Sequence, residues 1–148
     1  MNKLFLTIVS FAAIACASAS DNIIFGAKIV LEDSCKISVS IQEKKVIFKP
    51  KFDLSGKCRL VTHDGTNIVH VKFVNGAYVF FVENNYPDED GCSSEYTAMG
   101  LSKDMTLYTT EIVKSSQSCN QDQEIQSFEY FSAKLKPYTQ KALTKMSN

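Results

Sequence analysis

The stretch IVHVKFVNGAYVFFVE, running from Ile68 to Glu83, decides the fold. Two β-branched and aromatic runs flank Asn75-Gly76, and Asn-Gly between such runs marks a type I′ hairpin, whose two central residues both need positive φ. A two-residue loop sets the register, pairing Val74 with Ala77, Phe73 with Tyr78, Val71 with Phe80 and Val69 with Val82. One face then carries Val69, Val71, Phe73, Tyr78, Phe80 and Val82. The other carries Ile68, His70, Lys72, Phe81 and Glu83, the mixture expected of a partly covered surface.

Asp64-Gly65 offers the same turn chemistry one strand earlier and extends the hairpin into a three-stranded meander from about Lys57 to Glu83. In that register Cys58 lies opposite Val71, Leu60 opposite Val69, and His70 opposite Phe81 beside Arg59. Upstream, Cys35, Ile37, Val39 and Ile41 alternate with Lys36, Ser38, Ser40 and Gln42, a period of two with the cysteine on the apolar side. A turn near Glu43-Lys44 returns the chain through Val46 and Phe48, and Ile23 to Leu31 reads as an opening strand bent at Gly26.

Asn84 to Gly91 is dense in turn formers and acids and reads as an exposed loop. Extended segments follow from Cys92 to Leu101 and from Met105 to Val113, with Ser102-Lys103-Asp104 as the turn; their alternation places Tyr96, Ala98, Tyr108 and Ile112 on one side. After Cys119 the apolar period changes to three and four residues at Ile125, Phe128, Phe131 or Ser132, Leu135 and Tyr138, predicting a C-terminal helix capped by Asp122 and ended or kinked by Pro137. The fold class is therefore mainly β with some α (α+β): an antiparallel β-sheet or sandwich of about 7–8 strands with two disulfides and a C-terminal helix.

The first nineteen residues read as a secretory signal, with Lys3 as the positive n-region, Leu4 to Ala15 as the apolar h-region and Ala17-Ser18-Ala19 as the cleavage site. Ala13-Ile14-Ala15-Cys16 also approaches a bacterial lipoprotein box, but lacks the large aliphatic residue at its first position. Residues 20–148 then form a single β-rich domain, secreted or periplasmic, with no stretch long and apolar enough to span a membrane. Removal of the signal takes Cys16 away and leaves Cys35, Cys58, Cys92 and Cys119, an even number that suggests two disulfides in an exported chain. Three connectivities are open. Proximity favours Cys35 with Cys58 and Cys92 with Cys119, each closing a loop of roughly twenty to thirty residues.

The chain holds 16 basic and 16 acidic residues, interspersed, so no basic patch argues for nucleic acid. Phosphate-cradling glycine patterns, nucleophile-elbow glycines and close cysteine or histidine spacing for zinc are all absent, and no cofactor or metal is expected. The acidic turn could offer oxygens to calcium but departs from the twelve-residue helix-loop-helix pattern. What remains is a non-catalytic exported binding protein of the inhibitor, immunity or adhesion type, its partner another protein. Function on such scaffolds resides in loops on a rigid frame, and the candidate binding residues are Tyr86, Asp88, Glu89 and Asp90. The alternatives are a carrier of a small apolar ligand in a cavity lined by Val71, Phe73, Tyr78 and Phe80, and a hydrolase assembled from distant residues such as His70.

Overall fold

The computed structural model describes residues 22–53, 55–89, 91–119 and 125–139. The segment expected to be a signal, with Cys16, and likewise Asp90 and Asp122, lie outside the described residues.

Asn75 and Gly76 take φ of 51° and 85°, as the type I′ reading requires. They join β6 (Lys72–Val74) to β7 (Ala77–Asp88) in the expected register, Val74 against Ala77 and Phe73 against Tyr78. The pairing ends at Lys72 against Val79, so Val71 and Val69 do not pair with β7. There the outer edge of β7 passes to β5 (Lys57–Leu60), with Leu60 opposite Val82, Arg59 opposite Glu83 and Cys58 opposite Asn84. The Asp64-Gly65 turn exists, but as a short hairpin pairing Thr62 with Val69 instead of the longer meander. β5 lies against β7 because Arg59 meets the Glu83 carboxylate there and Gly56 has no side chain: a Cβ on Gly56 would come within 2.3 Å of the Asn85 carbonyl oxygen. Gly56→Ala is expected to lower stability by about 2 kcal/mol, because backbone cannot give way as a side-chain end can. A urea midpoint equal to wild type at unchanged slope would contradict this.

Asn84 to Asp88, expected in a loop, continue β7, and β8 (Gly91–Ser102) follows at once. Asn84 and Asn85 stand on the ladder between Glu95 and Ser94 on one side and Cys58 and Lys57 on the other. Strands on both sides complete their backbone hydrogen bonds, and that context overrides turn propensity. The outer edge of β8 is shared in the same way as that of β7: β9 (Leu107–Thr109) covers Met99 to Leu101, and β10 (Lys114–Ser116) covers Ser94 to Tyr96. The run from Met105 to Val113 is thus interrupted. In the gap Thr97 donates its hydroxyl to the Ile112 carbonyl at 2.7 Å, and the Ile112 amide donates to the Thr110 hydroxyl at 3.1 Å.

A second, four-stranded sheet packs on this one. β1 (Asn22–Ile24) and β2 (Ala27–Glu32) form a hairpin around Phe25-Gly26, with φ of 46° and 81°, so the expected bent strand is two strands. β3 (Lys36–Ile41) and β4 (Lys44–Phe48) complete the order β1-β2-β3-β4, all antiparallel. Ile24, Ala27, Ile29, Ile37 and Val39 face Leu60, Phe80, Val82, Met99, Leu101 and Leu107 across the sandwich core.

The opposite face of the larger sheet, expected to be partly covered, is closed by α1 (Ile125–Ser132), whose Phe128 and Phe131 pack on Val61, Val79, Phe81 and Ala98. Tyr96 and Ile112 join them, as the alternation predicts. The helix is shorter than its period suggests. The Ser132 hydroxyl donates to the Glu129 carbonyl at 2.9 Å and the Leu135 amide to the Phe131 carbonyl at 3.1 Å, after which β11 (Lys136–Pro137) pairs with β9 at the sheet edge, where proline's missing donor is tolerated. Disulfides join Cys35 to Cys58 and Cys92 to Cys119, with Cα atoms 5.4 Å and 5.7 Å apart. The first links the two sheets. The second ties β8 to the segment after β10.

Candidate functional site

Two groups of side chains present themselves at opposite ends of the β7–β8 hairpin. At the first, the β1–β2 turn of one sheet meets the β6–β7 turn of the other. Positive φ at Phe25 places its ring outside the sandwich, stacked on Tyr78 with centroids 4.4 Å apart, and the Phe73 ring centre lies 4.9 Å from that of Tyr78. Ile23, Phe25, Ile68 and Phe73 remain 73%, 46%, 67% and 50% exposed. Scattered exposed apolar residues are ordinary, but a contiguous aromatic and aliphatic strip is not. Ile23, Phe25, Ile68, Val71 and Tyr78 also line a shallow groove of about 340 Å³. Two cations border the strip: Lys28 sits opposite Ile23, and the Lys103 ammonium lies 5.0 Å above the Phe73 ring. Of the four side chains assigned to an apolar cavity, Val71 and Tyr78 line this open groove, Phe73 lies tilted against Tyr78, and Phe80 is fully buried in the sandwich core.

The second end holds the sequence-predicted residues. Tyr86 is half-buried and, with Pro87, lines a groove of about 620 Å³ that also includes Cys58, Cys92 and Cys119. Asp88 and Glu89 are exposed at the hairpin tip, where the Asp88 carboxylate accepts a hydrogen bond from the Ser93 hydroxyl. The fold thus brings Tyr86 together with both disulfides, while Asp88 and Glu89 stay outside the groove lining. Eight strand steps run from Tyr78 to Tyr86, roughly 26 Å.

Sequence reading named Phe73 and Tyr78 and placed Ile68 on a partly covered face, but missed Ile23 and Phe25 because they sit in an apolar run that looks like core. The available signal was Phe25-Gly26 between apolar runs, a two-residue hairpin loop that leaves its first side chain outside both strands.

Several polar groups inside the sheet are paired. Arg59 donates from Nε and Nη2 to Glu83 Oε2 at 2.8 Å and 2.7 Å, instead of lying beside His70. Asn84 donates to Glu95 Oε2 at 3.4 Å, and the Asp53 amide donates to Glu95 Oε1 at 3.3 Å. Burial raises the Tyr96 phenol above its ordinary range, partly offset by a hydrogen bond with Ser127; the Ser102 hydroxyl holds Asp104 below the usual carboxylate range. His70, expected opposite Phe81 on the sheet, is held off the β6–β7 ladder and packs between His63 and Phe128, with ring centroids 4.2 Å and 4.9 Å away. Among the described residues, no group of three or more His, Cys, Asp or Glu side chains is placed to hold a metal ion, and no helix is long and apolar enough to cross a membrane.

No protein-family model matches this sequence, and no curated protein or solved structure is significantly similar to it. The functional reading therefore rests on the side chains themselves.

Proposed function

We propose that this chain is a non-catalytic, exported binding protein that engages another protein through the aromatic strip at the mouth of its sandwich. The observation that carries this reading is the exposure of Ile23, Phe25, Ile68 and Phe73 around Tyr78. Large apolar side chains on a rigid frame lose little conformational freedom on binding, and such anchors supply most of the energy of protein interfaces. Lys28 and Lys103 suit a partner whose contact surface is apolar at its centre and acidic at its rim. Two disulfides bracing the frame support an oxidising destination, secreted or periplasmic.

The Tyr86 groove supports a second contact surface, in which Tyr86 and Pro87 make the apolar contact and the exposed Asp88 and Glu89 at the hairpin tip add acidic charge. One experiment separates the two. The secreted protein is crosslinked in the medium of its producing cells, its partner is purified, and affinities are measured for wild type, for Phe25→Ser/Ile68→Ser/Phe73→Ser and for Tyr86→Ala/Asp88→Ala. The triple variant should bind more than about tenfold more weakly with little change in melting temperature, since each anchor is worth on the order of 2 kcal/mol. Retained binding by the triple variant together with loss in Tyr86→Ala/Asp88→Ala would transfer the function to the hairpin tip. A lipid-mass adduct in native mass spectrometry would instead favour the carrier reading.

A further inference from the structure

We propose that His63 and His70 form a binding site for a first-row divalent transition metal of the zinc and copper(II) class. They are the only two histidines in the chain, and the fold brings them side by side. The short hairpin from Val61 to His70 does this with backbone bonds at both positions. The His63 amide donates to the Ile68 carbonyl and the His70 amide to the Val61 carbonyl, each at 2.9 Å, around the Thr62–Val69 bridge. In an antiparallel pair these positions are diagonal neighbours on one face, within reach of long side chains. The turn is further fixed by the Thr66 hydroxyl, which donates to the His63 carbonyl at 2.9 Å and accepts from the Ile68 amide at 3.2 Å.

The ring spacing is within about 1 Å of that in a bis-imidazole chelate. Two imidazoles bound to one tetrahedral zinc at about 2.0–2.1 Å have ring centres about 5 Å apart. Here the centres are 4.2 Å apart with the planes 35° from parallel, so chelation asks the rings to separate by about 1 Å and to turn one nitrogen each towards the ion. The two rings divide the work. His70 rests against Phe128, which fixes the plane of its ring, whereas His63 is exposed and turns towards an arriving ion. Nitrogen ligands favour zinc, copper and nickel over calcium and magnesium, which take oxygen. Two protein ligands leave further positions to water, making an exchangeable site in place of a structural one. The Lys72 ammonium, 5.5 Å from the Phe128 ring centre on the same side of the sheet, opposes a dication and limits the affinity.

The test uses the untagged, full mature chain titrated with zinc chloride in a calorimeter, and with copper(II) followed by electron paramagnetic resonance. Wild type should bind one equivalent of zinc saturably, with copper hyperfine structure from two nitrogens and no heat from calcium. His63→Gln should weaken zinc binding at least about tenfold, because loss of a group that merely orients a ligand already costs 10- to 100-fold. His63→Gln is the informative variant because that side chain is exposed and its loss should leave the melting temperature nearly unchanged. His70→Gln should show the same binding loss. Absence of saturable zinc binding, or binding undiminished in His63→Gln, overturns the proposal and leaves the pair as an aromatic stack.

Discussion

Arg59→Ala should lower the free energy of unfolding by about 3 kcal/mol, more than its position at the edge of the sheet would suggest. The reason is Glu83, whose side chain is fully buried while that of Arg59 keeps 30% of its surface in water. Truncating the arginine removes two charge-assisted bonds, of 2.8 Å and 2.7 Å, to one carboxylate oxygen and leaves the carboxylate in the interior. Removing one member of a buried pair costs about 3–5 kcal/mol, whereas replacing both by apolar residues is often neutral. Solvent access to the guanidinium places the expected cost at the lower end. The double variant Arg59→Leu/Glu83→Leu should therefore be more stable than Arg59→Ala alone. Urea unfolding monitored by circular dichroism measures both, with equal slopes confirming that the unfolded state is unchanged. If Arg59→Ala matches wild type within about 0.5 kcal/mol, other partners of Glu83 suffice to hold its charge.

Hairpin chemistry was the part of the fold most legible in the sequence, because a two-residue turn leaves the chain few choices. Asn75-Gly76 set both the turn and the pairing of Phe73 with Tyr78. Alternation was equally informative in β3, where Ile37 and Val39 point into the core, and in β8, where Tyr96 and Ala98 face the helix. Local signals gave out where a strand exchanges partners along its length. Nothing near Lys57 or Asp64 announces that β7 takes β6 against Ala77 to Val79 and β5 against Val82 to Asn85. That exchange depends on contacts between residues far apart in sequence: Arg59 with Glu83, and Gly56 against the Asn85 carbonyl.

The same long-range contacts explain the fate of the candidate site. Asn84 and Asn85 carry turn propensity, yet pairing on both sides draws them into the sheet and moves the exposed acids outward to Asp88 and Glu89. Tyr86 ends up on the strand, beside two disulfides, instead of projecting from a loop. Phe25 behaves in the opposite way. Composition assigns it to the core, but a positive φ in a tight turn sends it outward. Periodicity reports which face a residue takes within a strand; it is silent about a side chain placed in the turn between two strands.

Phe128→Ala is expected to have the larger effect, a loss of about 4 kcal/mol, because one ring joins the helix to the sheet. α1 has eight residues, about two turns, and a helix that short is not stable in water by propensity alone. Its stability comes from Phe128 and Phe131, both fully buried. The Phe128 ring meets Phe81 edge-on with centroids 4.7 Å apart, supports His70 at 4.9 Å and lies beneath the Lys72 ammonium. Deleting it opens a cavity against Phe81 and removes the helix's main anchor, so Val61, Val79, Phe81 and Ala98 lose their cover together. The helix should then open locally before the sandwich does, since the other core, between the two sheets, does not include Phe128. Denaturant unfolding gives the global loss, and amide exchange over Phe128 to Leu135 gives the local one. Tyr130→Ala, on the same helix but exposed, is the control; it forfeits a contact with the Lys114 ammonium and should cost less than about 1 kcal/mol. A loss in Phe128→Ala as small as that in Tyr130→Ala would show that α1 lies on the sheet without helping to hold it.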